Sequence, residues 1–163
     1  MPLPGIEIPH MVRTASSFAF VLAATAALAQ EPRLLPTIED ATVVHASASG
    51  ERLDWNAFAT ALAAVDVVFL GETHLDDTTH RIELRVLEDL LRLRGNKVVL
   101  SLEMFERDVQ PALDAYCKGE IDEATFLHRS RPWGNYQSDY RPLIETAKAA
   151  GIKVVAANFP AML

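Results

Sequence analysis

The sequence predicts an α/β fold: a mainly parallel sheet of three core strands with flanking helices, and a candidate edge strand on the N-terminal side. Largely apolar runs at residues 65–70, 97–105 and 152–159 are typical of parallel strands buried on both faces. An amphipathic helical pattern lies between the first two runs. Strand, polar turn, helix and strand within about thirty residues is the βαβ crossover, which pairs its strands in parallel.

The helical patterns are bounded by capping residues. Apolar side chains recur at helical spacing over residues 78–94, with Asp77 or Thr78 as the expected cap and Gly95 as the stop. Asp54 is the expected cap of an earlier helix that reaches about residue 64. Further helices are predicted at residues 109–118, 122–128 and 141–150. The short β-branched run at 42–44 is the candidate edge strand.

The N-terminal residues 1–29 are predicted to be a secretory signal. Arg13 precedes the apolar stretch FAFVLAATAALA, which ends in a small-residue cleavage pattern before Gln30, and Met11 is the expected true start. The stretch is shorter than the roughly 20 apolar residues of a membrane span. A buried N-terminal helix is the alternative. We therefore expect an exported, periplasmic protein without a membrane span after cleavage, organised as residues 1–29 (signal), 30–52 (linker or edge strand) and 53–163 (α/β domain).

Composition narrows the class of protein. The chain has 163 residues, half of them apolar, and a net charge of −7, which fits one modest globular domain. Nucleic acid is not expected as a partner, because phosphate binding relies on clustered Lys and Arg. Cys117 is the only cysteine, so it has no partner for a disulfide within the chain, and no cysteine stands at the cleavage point for lipid attachment.

The sequence stops directly after the third predicted strand. Three parallel strands with open edges leave backbone donors and acceptors unpaired. We therefore expect residues 53–163 to be the N-terminal part of a longer domain, or to need a partner that closes the sheet.

Polar side chains gather where the predicted strands end. Glu72 and His74 follow the first strand, Glu103 closes the second and Asn158 the third, so they are expected to meet at the carboxyl edge of the sheet. His80 falls in the first turn of a helix, where the helix dipole favours a neutral imidazole. Such a set can bind a divalent cation or act as a general acid and base. The alternative without a binding role is that Glu72 caps a turn, His74 faces solvent in a loop and His80 lies on the helix surface.

A loop rich in aromatic and basic residues forms a second candidate. Its aromatic residues Trp133, Tyr136 and Tyr140 are interleaved with Arg129, Arg131 and Arg141. Flat rings beside guanidinium groups suit a planar ligand that carries carboxylates. The alternative is a loop whose aromatic side chains anchor it to the domain.

The segments FLGETHLDDTTH, VVLSLEMFERDVQPALDAYCKGEID and YRPLIETAKAAGIKVVAANFP together resemble the ChaN-like haem-binding uptake proteins, which are related to the Tiki proteases and erythromycin esterases. The resemblance implies an α/β fold and an exported or membrane-attached haem-binding protein of iron acquisition. Many relatives are lipoproteins, and they usually continue further, with a haem-ligating tyrosine in the later part. The residues that the resemblance places in the motifs are Glu72, His74, Glu103, Gln110, Tyr140, Arg141 and Asn158.

Haem is therefore the cofactor that the resemblance implies, and the residues expected to bind it are Glu72, His74, His80, Glu103, Tyr140, Arg141 and Asn158. A second copy of the chain or an envelope haem-transport protein is the expected partner. The resemblance to Tiki proteases leaves a second hypothesis, a metal-dependent hydrolase in which Glu72, His74 and Glu103 bind Zn²⁺ or Mn²⁺ and activate water. A non-enzymatic haem-binding protein is the favoured interpretation.

Overall fold

The computed structural model describes residues 37–160. Its helices are α1 (Ile38–Ala41), α2 (Trp55–Ala63), α3 (Asp77–Arg94), α4 (Gln110–Cys117), α5 (Glu123–Ser130) and α6 (Arg141–Ala149), and its strands are β1 (Val44–His45), β2 (Arg52–Leu53), β3 (Val99–Glu106) and β4 (Lys153–Asn158). Short 3₁₀ turns cover Gly95–Lys97 and Arg107–Val109, and a π-helical turn covers Tyr136–Tyr140. The predicted signal at residues 1–29 lies outside the described residues. None of the helices in the described part of the chain has both the length and the apolar character needed to cross a membrane.

The parallel sheet confirms the α/β class. Strands β3 and β4 pair in parallel, with Val99 opposite Lys153 and Leu102 opposite Ala156. The chain between them passes through α4, α5 and α6, as a parallel connection requires. Residues 102, 104, 154 and 156 are buried under the helices, whereas residues 99, 101 and 103 on β3 are exposed. The described sheet is therefore covered on one face only.

The first predicted core strand does not form. Residues 65–70 belong to neither sheet, and Val67 and Phe69 are 65% and 93% exposed. The two parallel strands in the described residues are β3 and β4, so the prediction of three was wrong. The physical reason is that a strand exists only where another strand accepts its backbone hydrogen bonds. An apolar run fits a buried strand, but it does not specify that partner.

The candidate edge strand also lies elsewhere. β1 pairs antiparallel with β2, with Val44 opposite Leu53, and the pair forms a separate two-stranded hairpin. Short strands of this kind are set by the turn between them, and Gly50 adopts the positive φ of 71° that this turn uses. The prediction that residues 42–44 border the parallel sheet was therefore wrong.

Most helix boundaries follow the predicted caps. The Asp54 side chain accepts a hydrogen bond from the Ala57 amide at 2.7 Å and begins α2, and Gly95, at a φ of 59°, ends α3. The cap of α3 is Asp76, one residue before the predicted Asp77 or Thr78. Its side chain accepts from the Thr78 amide at 3.1 Å. The His80 amide donates to the Asp76 carbonyl at 3.4 Å, so His80 closes the first turn of α3.

The core consists largely of aromatic side chains between β3 and the helices that follow it. Phe126 is fully buried, stacks on Tyr116 with ring centroids 4.5 Å apart, and meets Phe105 at 5.6 Å. Tyr136, at the start of the π-helical turn, lies 6.1 Å from Phe126. The aromatic loop is thus partly anchored by its own rings, as the structural alternative for this loop proposed.

Gln110 completes the backbone hydrogen bonding of β4. Its side-chain nitrogen donates to the Val154 carbonyl at 2.9 Å, and its side-chain oxygen accepts from the Ala156 amide at 2.8 Å. One side chain thereby provides the donor and the acceptor that a neighbouring strand would supply. Val154 and Ala156 are buried, so these backbone groups would otherwise lack partners.

A buried carboxylate joins α2 to α3. Asp89 accepts hydrogen bonds from Trp55 Nε1 at 2.7 Å, from Arg92 at 2.9 Å and from Arg85 at 3.3 Å. Burial alone would raise the pKa of Asp89, but the Trp55 hydrogen bond and the two guanidinium groups outweigh it and hold the pKa below its ordinary value. The ionised form is therefore the one that stabilises the fold.

We expect Asp89→Asn to lower the free energy of unfolding by about 2–4 kcal/mol at pH 7, because it removes the charge that faces Arg85 and Arg92. A lowered pKa in the folded state means that this contribution is fully present above about pH 4, near the pKa of an unfolded aspartate. It disappears as the pH falls through the folded-state pKa. Urea unfolding of the wild type and of Asp89→Asn, at pH 7 and at steps below pH 4, measures the difference between their free energies of unfolding.

Glu88→Gln is the matched control, because Glu88 is the exposed neighbour on the same helix and its contact with Arg85 is 3.5 Å. Its effect should stay within about 0.5 kcal/mol at every pH. If the difference in free energy of unfolding between wild type and Asp89→Asn stays constant or increases on acidification, the ionised Asp89 carboxylate is not the stabilising form.

Candidate functional site

The candidate site lies where the loop of residues 71–76 enters α3. Asp76 caps the helix and also accepts from Thr79 Oγ1 at 2.9 Å, and these hydrogen bonds lower the pKa of Asp76. The helix therefore starts directly after the loop. His80 then falls on the inward side of the first turn, where it is almost completely buried.

The buried imidazole of His80 has acceptor groups at both ring nitrogens. Nδ1 lies 3.1 Å from Glu83 Oε2 and 3.4 Å from Glu72 Oε2. Nε2 lies 3.1 Å from the His74 carbonyl oxygen and 3.6 Å from Asp139 Oδ2. We call Glu72, His80, Glu83, Asp139 and Tyr140 the His80 cluster. The Tyr140 ring meets the imidazole edge-on at 4.8 Å.

Burial and charge act in opposite directions on the His80 cluster. Burial alone would lower the pKa of His80, but the His74 carbonyl and the carboxylates of Glu83 and Glu72 raise it overall. Burial raises the pKa of Glu83, and the nearby Glu72 carboxylate adds to this rise. Two mostly buried carboxylates beside one imidazole thus favour a positive charge at Nδ1. The neutral imidazole expected from the helix dipole was therefore wrong, because these carboxylates outweigh the dipole.

Glu72 connects the buried cluster to the surface. Its Oε1 accepts from the Tyr140 hydroxyl at 2.7 Å and lies 2.6 Å from His74 Nδ1. Burial, followed by the hydrogen bond to Glu72, raises the pKa of Tyr140, so the phenol remains the donor. The His74 side chain is 53% exposed, and its ring lies edge-on to Trp133 at 4.8 Å. His74 therefore presents a carboxylate-oriented imidazole at the surface.

Asn135 joins the loop to the π-helical turn. Its side-chain nitrogen donates to the His74 carbonyl at 2.7 Å and to Asp139 Oδ2 at 2.6 Å. The same carbonyl oxygen faces His80 Nε2, so Asn135 and His80 share one acceptor. The turn Tyr136–Tyr140 then places Asp139 and Tyr140 against α3.

Sequence reasoning missed three members of this arrangement. Glu83 follows His80 by three residues on a helix, a spacing that places both side chains on one face, so the sequence did contain a usable signal for it. Asn135 and Asp139 lie more than fifty residues further along the chain. Because only tertiary packing brings them to the His80 cluster, no local pattern could identify them.

The remaining predicted site residues lie outside the His80 cluster. Glu103 is on the exposed face of β3, and the Asn158 side chain accepts from the adjacent Phe159 amide at 2.8 Å. Arg141 donates to Glu123 at 2.7 and 3.2 Å. Within residues 37–160, no hydrogen bond connects these three to Glu72. Their roles in binding haem or a metal stay predictions.

Arg131 is also held by carboxylates. It donates to Glu106 at 2.9 Å and to Asp108 at 2.8 Å, and its backbone has a φ of 48° at the end of α5. Trp133, two residues further along, packs against Tyr140 with ring centroids 5.8 Å apart. Arg131 and Arg141 in this loop are therefore both paired with carboxylates. The ring of Trp133 supports the His80 cluster through its contact with Tyr140.

The chain is thus an α/β protein with a buried imidazole–carboxylate cluster at a loop-to-helix junction and an exposed histidine beside it. A family model described as "Haem-binding uptake, Tiki superfamily, ChaN" matches residues 58–163, which is more than half of the sequence. The protein belongs to this ChaN family of the Tiki superfamily, and this confirms the resemblance seen in the motifs. No curated protein and no solved structure gave a match.

We expect Asn135→Ala to destabilise the protein by about 1–3 kcal/mol, because it leaves the Asp139 carboxylate and the shared His74 carbonyl short of a donor. Urea unfolding at pH 7 measures the change. Ser138→Ala is the control: Ser138 is exposed in the same turn and donates to the Asn135 carbonyl at 3.2 Å. A loss for Asn135→Ala no larger than that for Ser138→Ala would show that Asn135 does not hold the loop.

Proposed function

We propose that this protein binds haem in the bacterial cell envelope and serves haem or iron uptake. Family membership supports the haem class of ligand, since the matching family is described by haem-binding uptake. The signal pattern predicted at residues 1–29 supports export, because the apolar stretch is followed by small residues typical of a cleavage site. Haem is the cargo in this proposal, and the protein supplies its binding and orientation.

His74 is the observation that carries the proposal. Haem iron is commonly held by a histidine nitrogen. Histidines that bind metals usually donate their other ring N–H to a carboxylate, which fixes the tautomer and the ring orientation. His74 Nδ1 lies 2.6 Å from Glu72 Oε1, and its Nε2 makes no hydrogen bond within residues 37–160. The half-exposed ring therefore has its Nε2 atom available to bind an iron at the surface.

The surface around His74 also suits a porphyrin. Leu75, the next residue in the sequence, and Phe69, five residues before His74, are 85% and 93% exposed, and Trp133 lies against the His74 ring. Apolar side chains of this size favour a large flat ligand, because contact removes their surface from water. Two cavities of about 250 and 190 Å³ lie elsewhere, one beside Asp108 and one beside Arg85, and neither includes His74. Haem would reach His74 from the surface, because the His74 side chain is half-exposed.

Titration with hemin tests the proposal. The purified mature chain should shift the Soret band in a saturable way, and His74→Ala should weaken binding at least about tenfold because the iron loses its nitrogen ligand. His128→Ala is the matched control, since His128 is another exposed histidine, at the end of α5. It should bind hemin like the wild type.

Two results would contradict the proposal. A wild-type protein that is folded by circular dichroism and gives no saturable Soret shift does not bind haem. Equal affinities in wild type, His74→Ala and His128→Ala would show that His74 is not the ligand.

A further inference from the structure

The tautomer of His80 is fixed by its surroundings. The His74 carbonyl oxygen can only accept hydrogen bonds, so the His80 Nε2 atom at 3.1 Å must carry a hydrogen. Asp139 Oδ2, at 3.6 Å from the same nitrogen, also favours an N–H group there. In a neutral ring the lone pair therefore lies on Nδ1.

That lone pair points at two carboxylates. Glu83 Oε2 and Glu72 Oε2 lie 3.1 and 3.4 Å from Nδ1, and both carboxylates are mostly buried. A nitrogen lone pair and two carboxylate oxygens at these distances repel one another unless a cation lies among them. A proton on Nδ1, a proton on the Glu83 carboxyl group, whose pKa is raised by burial, or a metal ion bound by all three groups satisfies this requirement.

The distances fit one shared metal ion. Transition metals bind imidazole nitrogen and carboxylate oxygen at about 2.0–2.2 Å, so neighbouring donors lie about 3.0–3.4 Å apart in octahedral and tetrahedral sites. The two nitrogen–oxygen distances in the His80 cluster have these values. The donor atoms of Glu72, His80 and Glu83 all lie within 4.8 Å of one another. Small side-chain rotations would bring all three onto one ion.

We infer that Glu72, His80 and Glu83 form a binding site for one divalent transition-metal cation. One imidazole with two carboxylates suits Mn²⁺, Fe²⁺ or Zn²⁺, whereas Ca²⁺ prefers six to eight oxygen ligands. The surrounding groups orient the ligands as in known metal sites: the His74 carbonyl holds His80, and the Tyr140 hydroxyl holds Glu72 at 2.7 Å.

This cation site differs from the metal set predicted from the sequence and from the haem ligand proposed above. Of the set Glu72, His74 and Glu103 predicted for a hydrolytic metal, the new site contains Glu72 alone. His80 was also a candidate cation ligand in the sequence, whereas Glu83 was not predicted. It uses the buried His80, whereas haem is proposed to use the exposed His74. The inference rests on the contacts of His80 and does not depend on haem binding.

Metal titration tests the inference. The mature chain, freed of metal with EDTA, is titrated with Mn²⁺ followed by electron paramagnetic resonance and with Zn²⁺ followed by calorimetry. We expect one ion per chain, and at least about a tenfold loss of affinity in Glu83→Gln, which keeps the side-chain size and removes a ligand charge. Glu88→Gln on the same helix, whose carboxylate faces Arg85 instead, should bind like the wild type.

Glu83→Gln should retain the Soret response to hemin, so failure of this inference and failure of haem binding give different results. If Glu83→Gln does not fold, the site is tested in the wild type by NMR, from the amide resonances that Mn²⁺ broadens. Broadening that begins at residues 72, 80 and 83 supports the site. Broadening centred elsewhere, no binding of either ion, or an unchanged affinity in folded Glu83→Gln overturns it.

Discussion

The buried imidazole of His80 is the constraint on which the candidate site depends. A ring with acceptors at both nitrogens must be satisfied by hydrogen bonds or by a cation, because an unpaired buried polar group costs several kcal/mol. Its contacts with the His74 carbonyl, Glu83 and Asp139 join three separate segments of the chain. Glu72 lies in the loop, contacts the same ring and also accepts a hydrogen bond from Tyr140. These two contacts fix both the position of the loop and the position of the Glu72 carboxylate beside His80.

Much of the fold could be predicted because its signals are local. The Asp54 cap, the Gly95 stop and strands β3 and β4 follow from capping chemistry and apolar runs, and all of them form. Residues 65–70 show the limit of such signals: their composition matches β3, yet they pair with no strand in the described residues. Gln110, noticed only as a motif residue, completes the hydrogen bonds of β4, a role that depends on a strand more than forty residues away.

The candidate site was predicted only in part, because some of its residues are brought together by contacts that are distant in the sequence. Glu72, His80 and Tyr140 were all expected to take part, and the structure brings them within hydrogen-bonding or ring-contact distance. Glu103 and Asn158 were expected to join them because the carboxyl ends of parallel strands share an edge. That rule needs the first predicted strand to lie in the sheet. Since residues 65–70 stay outside it, Glu72 and His74 are placed by α3 and Asn135 instead.

The protonation state of His80 is the most direct test of this account. Long-range ¹⁵N–¹H correlation NMR of histidine-labelled protein reports which ring nitrogen carries hydrogen. The account requires a proton on Nε2 whether or not a divalent cation is present, and an Nδ1 resonance that changes when Zn²⁺ is added. A neutral ring with its proton on Nδ1 and a bare Nε2 would contradict it, because the His74 carbonyl would then face a lone pair.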